Sequence, residues 1–234
     1  MKEITTKLLI AAILLVCLSP FLGCELDEGG DVTGEPTSVA DTTAETVPDT
    51  EGAIDVIALP TESMGLSYIS NGDGTCTLTG IGSCTDTAIK IPEKSESGEL
   101  VTKIAASAFS GNASIVSVSI PASVTEIGIA AFTNCQNLAY IEVDDANTKY
   151  TDMGGILYTA DGVRLLCLPA GASYISLTLT KKIKQIAESA TAGCTTLQKI
   201  VYEGSSEDWK TVNVAAGNTP FASASMIFMV TSGK

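Results

Sequence analysis

The chain has 234 residues, a formal net charge of −14 and no histidine. The lack of histidine excludes serine–histidine–aspartate and cysteine–histidine catalysis, together with zinc sites of the HExxH type. Aromatic residues make up only 5% of the chain, so thin layers packed by small and β-branched residues are expected instead of one large aromatic core. The acidic balance opposes binding to nucleic acid.

The amino-terminal segment has the pattern of an export signal. Two lysines precede an apolar stretch at residues 8–18, which is about half as long as a membrane-spanning helix. The exit sequence PFLGC, at residues 20–24, resembles the lipobox of bacterial lipoproteins. The resemblance implies that residues 1–23 are removed and that Cys24 receives a lipid, which attaches the protein to a membrane. An ordinary secretory signal with an incidental cysteine is the alternative.

Residues 24–64 form a predicted tether. The segment holds eleven acidic residues and no lysine or arginine, and it is rich in threonine, proline and glycine. Such a segment cannot bury enough apolar surface to offset the entropy of ordering it. A random coil of this length separates its ends by about 30–35 Å on average. The sequence therefore predicts a folded domain at residues 65–234 that stands off a surface.

Residues 101–146 contain two copies of one repeating unit. The sequence VTKIAASAFSGNASIVSVSIPAS aligns with VTEIGIAAFTNCQNLAYIEVDDA at an offset of 23, and seven apolar columns agree. Units of this length cannot bury an apolar face alone and are stabilised by stacking. A further copy, IKQIAESATAGCTTLQKIVY, begins at Ile183. In that copy Thr191 replaces the phenylalanine of the others, so its layer is expected to pack less tightly.

Two hairpins are predicted around the regular repeats. The first, at residues 66–82, has an Asn-Gly-Asp-Gly turn between two alternating segments and can cover the open end of a repeat stack. The same turn lacks the alternating carboxylates and closing glutamate of a calcium loop, so a turn is favoured over a metal site. The second lies in the segment 144–173, where an Asp-Gly pair joins β segments at 155–159 and 163–168.

These motifs resemble the BspA-like leucine-rich repeat family of surface proteins. The resemblance rests on a strand ending in Ile-Pro, the motif VTxIxxxAFxxCxxLxxIxI and the preceding DGTxTxTGIG hairpin, and it runs from about Tyr68 to Val230. It implies a β-rich leucine-rich repeat solenoid, with short parallel strands and short helical or 3-10 turns, capped by hairpins. It also implies a closing cap in which Trp209 covers the last rung; a sugar-stacking role for Trp209 is the alternative.

The candidate binding face lies between the inward-pointing columns of the predicted strands. Side chains there point out from the concave sheet, where repeat geometry places a partner. Ser117, Tyr140 and Lys199 are expected in one column, and Ser119, Glu142 and Val201 in the next. A merely solvated strand surface is the alternative.

The cysteines are expected to be structural. Cys135 and Cys194 share a column with Asn112, and a free cysteine packs as a small hydrophobe. They stand two rungs apart, roughly 10 Å, which is too far for a disulfide. Cys76 and Cys84 are the nearest pair, and a disulfide between them stays open. No CxxC motif is present, so neither a zinc site nor another cofactor is predicted.

The sequence predicts a non-catalytic, lipid-anchored cell-surface protein that binds a protein or glycan of a host or neighbouring cell. Its second predicted partner is the membrane, through the lipid on Cys24, and the oligomeric state is left open. A structural envelope lipoprotein without a specific ligand is the alternative. A third hypothesis is a serine/lysine hydrolase built on Lys103 or Lys184, although nothing in the sequence defines such a dyad.

Overall fold

The computed structural model describes residues 62–229. The predicted signal peptide at 1–23, Cys24 and the predicted tether up to residue 61 lie outside the described residues. Between residues 62 and 229, no helix is long and apolar enough to cross a membrane.

Short strands dominate the described residues and recur in a regular order along the chain. Between residues 62 and 229 they are β1 (Ser67–Ser70), β2 (Thr75–Gly80), β3 (Ala88–Lys90), β4 (Leu100–Ile104), β5 (Ser117–Ile120), β6 (Glu126–Ile127), β7 (Tyr140–Val143), β8 (Tyr150–Met153), β9 (Ile156–Thr159), β10 (Arg164–Cys167), β11 (Ser176–Leu179), β12 (Gln185–Ile186), β13 (Lys199–Tyr202), β14 (Asn213–Val214) and β15 (Ser225–Phe228).

The front of the molecule carries two parallel three-stranded sheets, β3-β5-β7 and β11-β13-β15. Strand β5 shows how the sequence produces them. Val118 and Ile120 are buried, whereas Ser117 and Ser119 are half-buried on the opposite side of the strand, because side chains alternate along an extended chain. The apolar columns of the repeats are these inward positions.

The back of the molecule carries the other half of each turn. Strand β4 pairs in parallel with β2 and β6, and β12 pairs in parallel with β10 and β14. Front and back strands together form six turns, called rungs below: β2/β3, β4/β5, β6/β7, β10/β11, β12/β13 and β14/β15. The predicted β-rich solenoid of short parallel strands is confirmed.

The chain turns from back to front through left-handed residues at equivalent repeat positions. Ser107, Ala130 and Ser189 have φ angles of 56°, 58° and 56°. The predicted helical turns of the second, third and fifth rungs are non-helical turns. Short helices occur elsewhere in the described chain: a 3-10 helix at Ala170–Ala172, α1 at Ser206–Trp209 and α2 at Thr219–Ser223.

An aromatic pair joins the second and third rungs inside the solenoid. Phe109 and Phe132 are 2% and 4% exposed, and their rings stack with centroids 5.6 Å apart and an interplanar angle of 8°. Both rings come from the same column of the repeat, so stacking of rungs brings them into register. Each therefore completes the layer begun by the other.

A hydrogen-bonded pair replaces the aromatic pair between the fifth and sixth rungs. Thr191 is fully buried, and both its N–H and its hydroxyl donate to Oδ1 of Asn218, at 2.9 and 3.1 Å. The Asn218 amide donates in turn to the carbonyls of Ala187 and Ala215, at 2.8 and 2.9 Å. The layer of Thr191, which was expected to pack loosely, is therefore filled by two polar side chains that are hydrogen-bonded to each other.

The hairpin of β1 and β2 begins the solenoid. These strands pair antiparallel, and β2 also pairs in parallel with β4, so β2 is both a hairpin strand and the back strand of the first rung. At the turn, Oδ1 of Asp73 accepts from the N–H and the hydroxyl of Thr75, at 3.0 and 2.6 Å. These bonds hold the pKa of Asp73 below its ordinary value. The Asp73 carboxylate therefore accepts hydrogen bonds within the turn itself, which agrees with the prediction of a turn.

The insertion after the third rung contributes two antiparallel pairings, β8 with β9 and β9 with β10. Its last strand, β10, also pairs in parallel with β12. The segment 144–173 is therefore only partly an insertion, because its strand β10 pairs within the back sheet and belongs to the fourth rung. Only β8 and β9 are additional to the repeat.

Strand β9 partitions the core. Leu157 is fully buried in the apolar cluster of the first three rungs, whereas Ile156 and Tyr158 are buried in the cluster of the last three. Successive side chains of a strand point to opposite faces, so one strand supplies a wall to each half of the solenoid. This explains why β9 lacks a polar face.

The carboxyl-terminal rungs are closed by aromatic side chains. Ser205 caps α1, since its hydroxyl accepts from the N–H of Asp208 at 3.1 Å, a role that serine commonly takes at a helix N-cap. Trp209 stacks on Phe221 with centroids 5.8 Å apart and meets Tyr202 edge-on at 5.0 Å. A sixth rung, β14/β15, follows Trp209 and extends both sheets. Trp209 therefore packs before the last rung and is not its cover.

Removal of the Phe132 ring should destabilise the solenoid strongly. Phe132→Ala removes a buried ring and leaves Phe109 without its stacking partner, which should lower the free energy of unfolding by about 3–5 kcal/mol. Urea unfolding of the full chain, followed by far-UV circular dichroism, measures the change. Phe228→Ala is the matched control, because Phe228 is 36% exposed; an equal loss in both variants would contradict the role given to the stack.

The capping box of α1 should make stability depend on pH in the acid range. Hydrogen bonds from Ser205, with Lys181 nearby at 3.2 Å, lower the pKa of Asp208 from 3.8 to about 2. A lowered carboxyl pKa stabilises the fold above the unfolded-state pKa, and this contribution is lost as pH falls through the folded-state pKa. The difference in unfolding free energy between wild type and Asp208→Asn should therefore be largest above pH ~4 and fade towards pH ~2. A difference in unfolding free energy that stays constant from pH 6 to pH 2 would contradict the stabilising role given to the Asp208 carboxylate.

Candidate functional site

The six predicted face residues all lie on front strands and point away from the core positions. Ser117 and Ser119 lie on β5, Tyr140 and Glu142 on β7, and Lys199 and Val201 on β13. Of these, Glu142 and Lys199 are exposed and the other four are half-buried.

In the first front sheet, the predicted columns are present. Ser117 is the register partner of Tyr140, and Ser119 that of Glu142. The two columns continue onto β3, where Ala88 and Lys90 take the equivalent positions. The result is a small face of three strands.

Lys199 and Val201 lie in the other front sheet and do not continue these columns. Lys199 is flanked by Ser176 and Ser225. The neighbours of Val201 are Thr178 and Ile227, of which Ile227 is 41% exposed. Each predicted column is therefore split into two columns of three strands.

The split follows from the edge of β7. The N–H of Ile141 donates to the carbonyl of Gly155 at 3.0 Å, and the N–H of Val143 donates to Oδ1 of Asp152 at 3.0 Å. These donors would otherwise face the next front strand, but the β8–β9 hairpin takes them. Strand β11 therefore starts a new sheet.

Tyr140 lies at this boundary. A β-carbon added at Gly155 would overlap its ring, and Gly155 has a φ of +82°. The glycine thus allows the hairpin to approach the ring closely, and one side of Tyr140 packs against the insertion. Its remaining surface belongs to the first front sheet.

Six outward positions of the front were missed by the sequence prediction: Ala88, Lys90, Ser176, Thr178, Ser225 and Ile227. The signal for them was present. Alternation around the buried Ile89, Leu177 and the half-buried Met226 marks the same positions on the divergent first, fourth and sixth rungs. Extending the aligned columns to these rungs would have found them.

A cleft of about 100 Å³ lies at the back, between the third and fourth rungs. One wall is the turn at residues 127–133, and the other is formed by Leu157, Arg164, Leu166 and Cys167, with Ala187 and Glu188 of the fifth rung. It occurs where the back ladder is broken, because β6 pairs with β4 and β10 pairs with β9 and β12, but β6 and β10 do not pair. No motif in the sequence predicted this cleft.

The cysteine column is structural, as predicted. The thiol of Cys135 donates to the carbonyl of Phe109 at 3.0 Å, and that of Cys194 donates to the carbonyl of Leu168 at 3.2 Å. Each thiol thereby bonds to the preceding rung. Burial raises the pKa of Cys194 to about 12 and raises that of Cys135, so neither forms a nucleophilic thiolate at neutral pH.

The other side chains that were considered for a disulfide or for catalysis do not form the predicted pairs. Cys76 and Cys84, the pair left open for a disulfide, are separate thiols. Lys103 forms an ion pair with Glu126 of the adjacent strand at 2.9 Å, so the partner of its ammonium is a carboxylate and not a serine. Across residues 62–229, no three metal-ligating side chains are grouped closely enough to hold a metal ion.

A family model matches part of the described solenoid. Residues 83–154 match the family model described as a BspA type leucine rich repeat region (6 copies). No curated protein matches the chain.

Several solved structures are similar over part of the chain. A leucine-rich repeat protein from Eubacterium ventriosum is 16% identical, with a TM-score of 0.41 over 71% of this chain and 70% of that one. A leucine rich cell surface protein from Faecalibacterium prausnitzii is 26% identical, with a TM-score of 0.43 over 65% of this chain and 42% of that one. The T. pallidum leucine rich repeat protein is 20% identical, with a TM-score of 0.42 over 70% of this chain and 82% of that one. Residues 83–154 therefore resemble a BspA type leucine rich repeat region, and the stacked rungs continue beyond this matched part as far as β15.

Proposed function

We propose that this protein is a lipid-anchored protein of the cell surface, which binds a protein or glycan of a host or neighbouring cell through its front face and catalyses no reaction. The observation that carries the proposal is the front itself. Parallel rows of outward side chains are held in register by buried alternate residues on six strands. Outward side chains that are held on rigid strands and do not form the core are suited to recognition.

The second front sheet is the stronger half of this face. Its two rows differ in character: Ser176, Lys199 and Ser225 form a polar row, and Thr178, Val201 and Ile227 form a more apolar one. An exposed apolar side chain beside a single cation is a combination that protein interfaces use. The first sheet adds Tyr140 and the exposed Glu142 near the boundary.

Anchoring is supported by the sequence outside the described residues. The apolar stretch at 8–18, the PFLGC exit and the acidic segment at 24–64 form an ordered series of signal, lipid site and spacer. A spacer matters to a binding role because it sets the repeat domain apart from a crowded membrane surface.

A binding role for the front face can be tested by introducing negative charges at its outward positions. Immobilised full chain is titrated with purified host matrix proteins and with a glycan array, and Lys199→Glu and Val201→Asp should weaken any saturable binding at least about tenfold. Lys184→Glu is the matched control, since Lys184 is also exposed but precedes the back strand β12. Tyr140→Ala with Glu142→Lys tests the first sheet in the same way.

Equal affinity of these front variants and wild type for every ligand, with unchanged circular dichroism, would show that the front is not the binding face. Binding by none of the ligands would favour a structural envelope lipoprotein. One observation favours that second candidate: five of the twelve outward front positions are serine or threonine, namely Ser117, Ser119, Ser176, Thr178 and Ser225.

The anchor makes a separate prediction. Cells that express the full chain and are fed radiolabelled palmitate should incorporate label into the wild type and not into Cys24→Ala, because the lipid is attached through that thiol. The variant should also move from the membrane fraction to the soluble fraction. Cys17→Ala is the control, as Cys17 lies in the segment predicted to be removed. Equal labelling of wild type and Cys24→Ala would exclude lipidation at Cys24.

A further inference from the structure

The turns of neighbouring rungs are joined by a row of backbone hydrogen bonds. In the second rung, three N–H groups donate to carbonyls of the third rung at N···O distances of 3.0, 2.8 and 2.8 Å: Ser107 to Ile129, Phe109 to Ala131 and Gly111 to Thr133. The fifth rung repeats this arrangement. There the N–H of Ser189 donates to the carbonyl of Ala216 at 2.9 Å, and the N–H of Thr191 donates to the side-chain Oδ1 of Asn218 at 2.9 Å.

The third rung has the same donors but a different neighbour. By the repeat, Ala130, Phe132 and Asn134 correspond to Ser107, Phe109 and Gly111. Within residues 62–229, the N–H groups of Ala130, Phe132 and Asn134 contact no acceptor. Phe132 is only 4% exposed, and an unpartnered donor in such a place is unfavourable unless another group binds it.

Two of these three donor residues belong to the wall of the back cleft. Ala130 and Phe132 both line it, and the opposite wall includes Leu166 and Cys167 of the fourth rung. The gap arises because the β8–β9 hairpin separates the rungs at this point: the N–H of Ile127, at the edge of β6, donates to the Tyr150 hydroxyl at 2.9 Å. The back strands are therefore held apart by the insertion.

A cation lies in the same cleft. Nε of Arg164 is buried and has no hydrogen-bond partner among the described residues. No carboxylate of residues 62–229 lies within 4.0 Å of its guanidinium. Arginine stays charged at any physiological pH, so a half-buried guanidinium without an anion indicates a place where an anion is favoured.

The acidic side chains nearby do not fill this role. Glu126 forms its ion pair with Lys103. Glu188 lines the cleft but is exposed, so solvent screens its charge. The rest of the lining is largely apolar, with Ile127, Ala131, Phe132, Leu157 and Leu166.

We propose that the cleft binds a carboxylate, with the Arg164 guanidinium and the N–H groups of Phe132 and Ala130 as donors. A planar carboxylate accepts two parallel bonds from a guanidinium fork. One cation, with Glu188 at the rim, matches a single negative charge better than a phosphate dianion. A volume of about 100 Å³ admits the carboxylate with a short apolar tail, carried either by a small organic acid or by the carboxyl terminus of a peptide.

The test uses nuclear magnetic resonance of the 15N-labelled full chain. Butyrate, N-acetyl-tetraalanine with a free carboxyl terminus and the same peptide as its amide are titrated separately, and the amide signals of Ala130, Phe132 and Asn134 are followed. Shifts with butyrate alone support a small acid, and shifts with the free peptide alone support a peptide terminus. Shifts with both support carboxylate binding from either source. Absence of shifts with both acids, or equal binding of the peptide amide, overturns the proposal.

Two charge variants make the test specific. Arg164→Gln should weaken binding about tenfold or more, since it removes a charge-assisted hydrogen bond, whereas Lys184→Gln, an exposed cation outside the cleft lining, should leave affinity unchanged. Glu188→Gln should tighten binding by removing a like charge, and it provides a readout even where Arg164→Gln disturbs the fold. Unchanged affinity in both Arg164→Gln and Glu188→Gln overturns the assignment.

Discussion

The short strands of each rung depend on backbone hydrogen bonds to neighbouring rungs. A rung has too few residues to bury its own apolar face or to satisfy its own N–H and C=O groups. Stacking meets both needs together: it places Phe109 on Phe132 and each thiol of the cysteine column on the carbonyl of the preceding rung. Anything that interrupts the stack must therefore supply substitutes for the missing neighbour.

The β8–β9 hairpin is such an interruption, and the substitutes it supplies account for the particular features of this solenoid. At the front, Gly155 and Asp152 take the donors of β7. In the core, Leu157 and Tyr158 face opposite halves. At the back the substitution is incomplete, since Tyr150 satisfies Ile127 while the turn donors of the third rung face the cleft. The two front sheets and the cleft are thus consequences of one insertion.

This arrangement separates two kinds of surface. The front consists of outward strand positions that lie outside the core columns, which suits recognition of a macromolecule. The back cleft is a small concave site with directional donors and a half-buried cation, which suits a small charged group. A partner at one surface need not compete with a ligand at the other, because they lie on opposite sides of the rungs.

The repeat, the core columns and the hairpin turns could be predicted from the sequence. Each depends either on the two-residue alternation of apolar and polar side chains along a strand or on the constant repeat offset of 23 residues. Ile104, Phe132 and Val143 occupy the positions that this period predicts. The tertiary structure alone decided where the stack breaks, since β10 could be recognised as a rung strand only through its pairing with β12. It also decided that Thr191 is satisfied by Asn218, 27 residues away, and that Arg164 and the turn of the third rung line one cleft. These contacts join residues from different rungs with no shared period, and a single sequence carries no local signal for them.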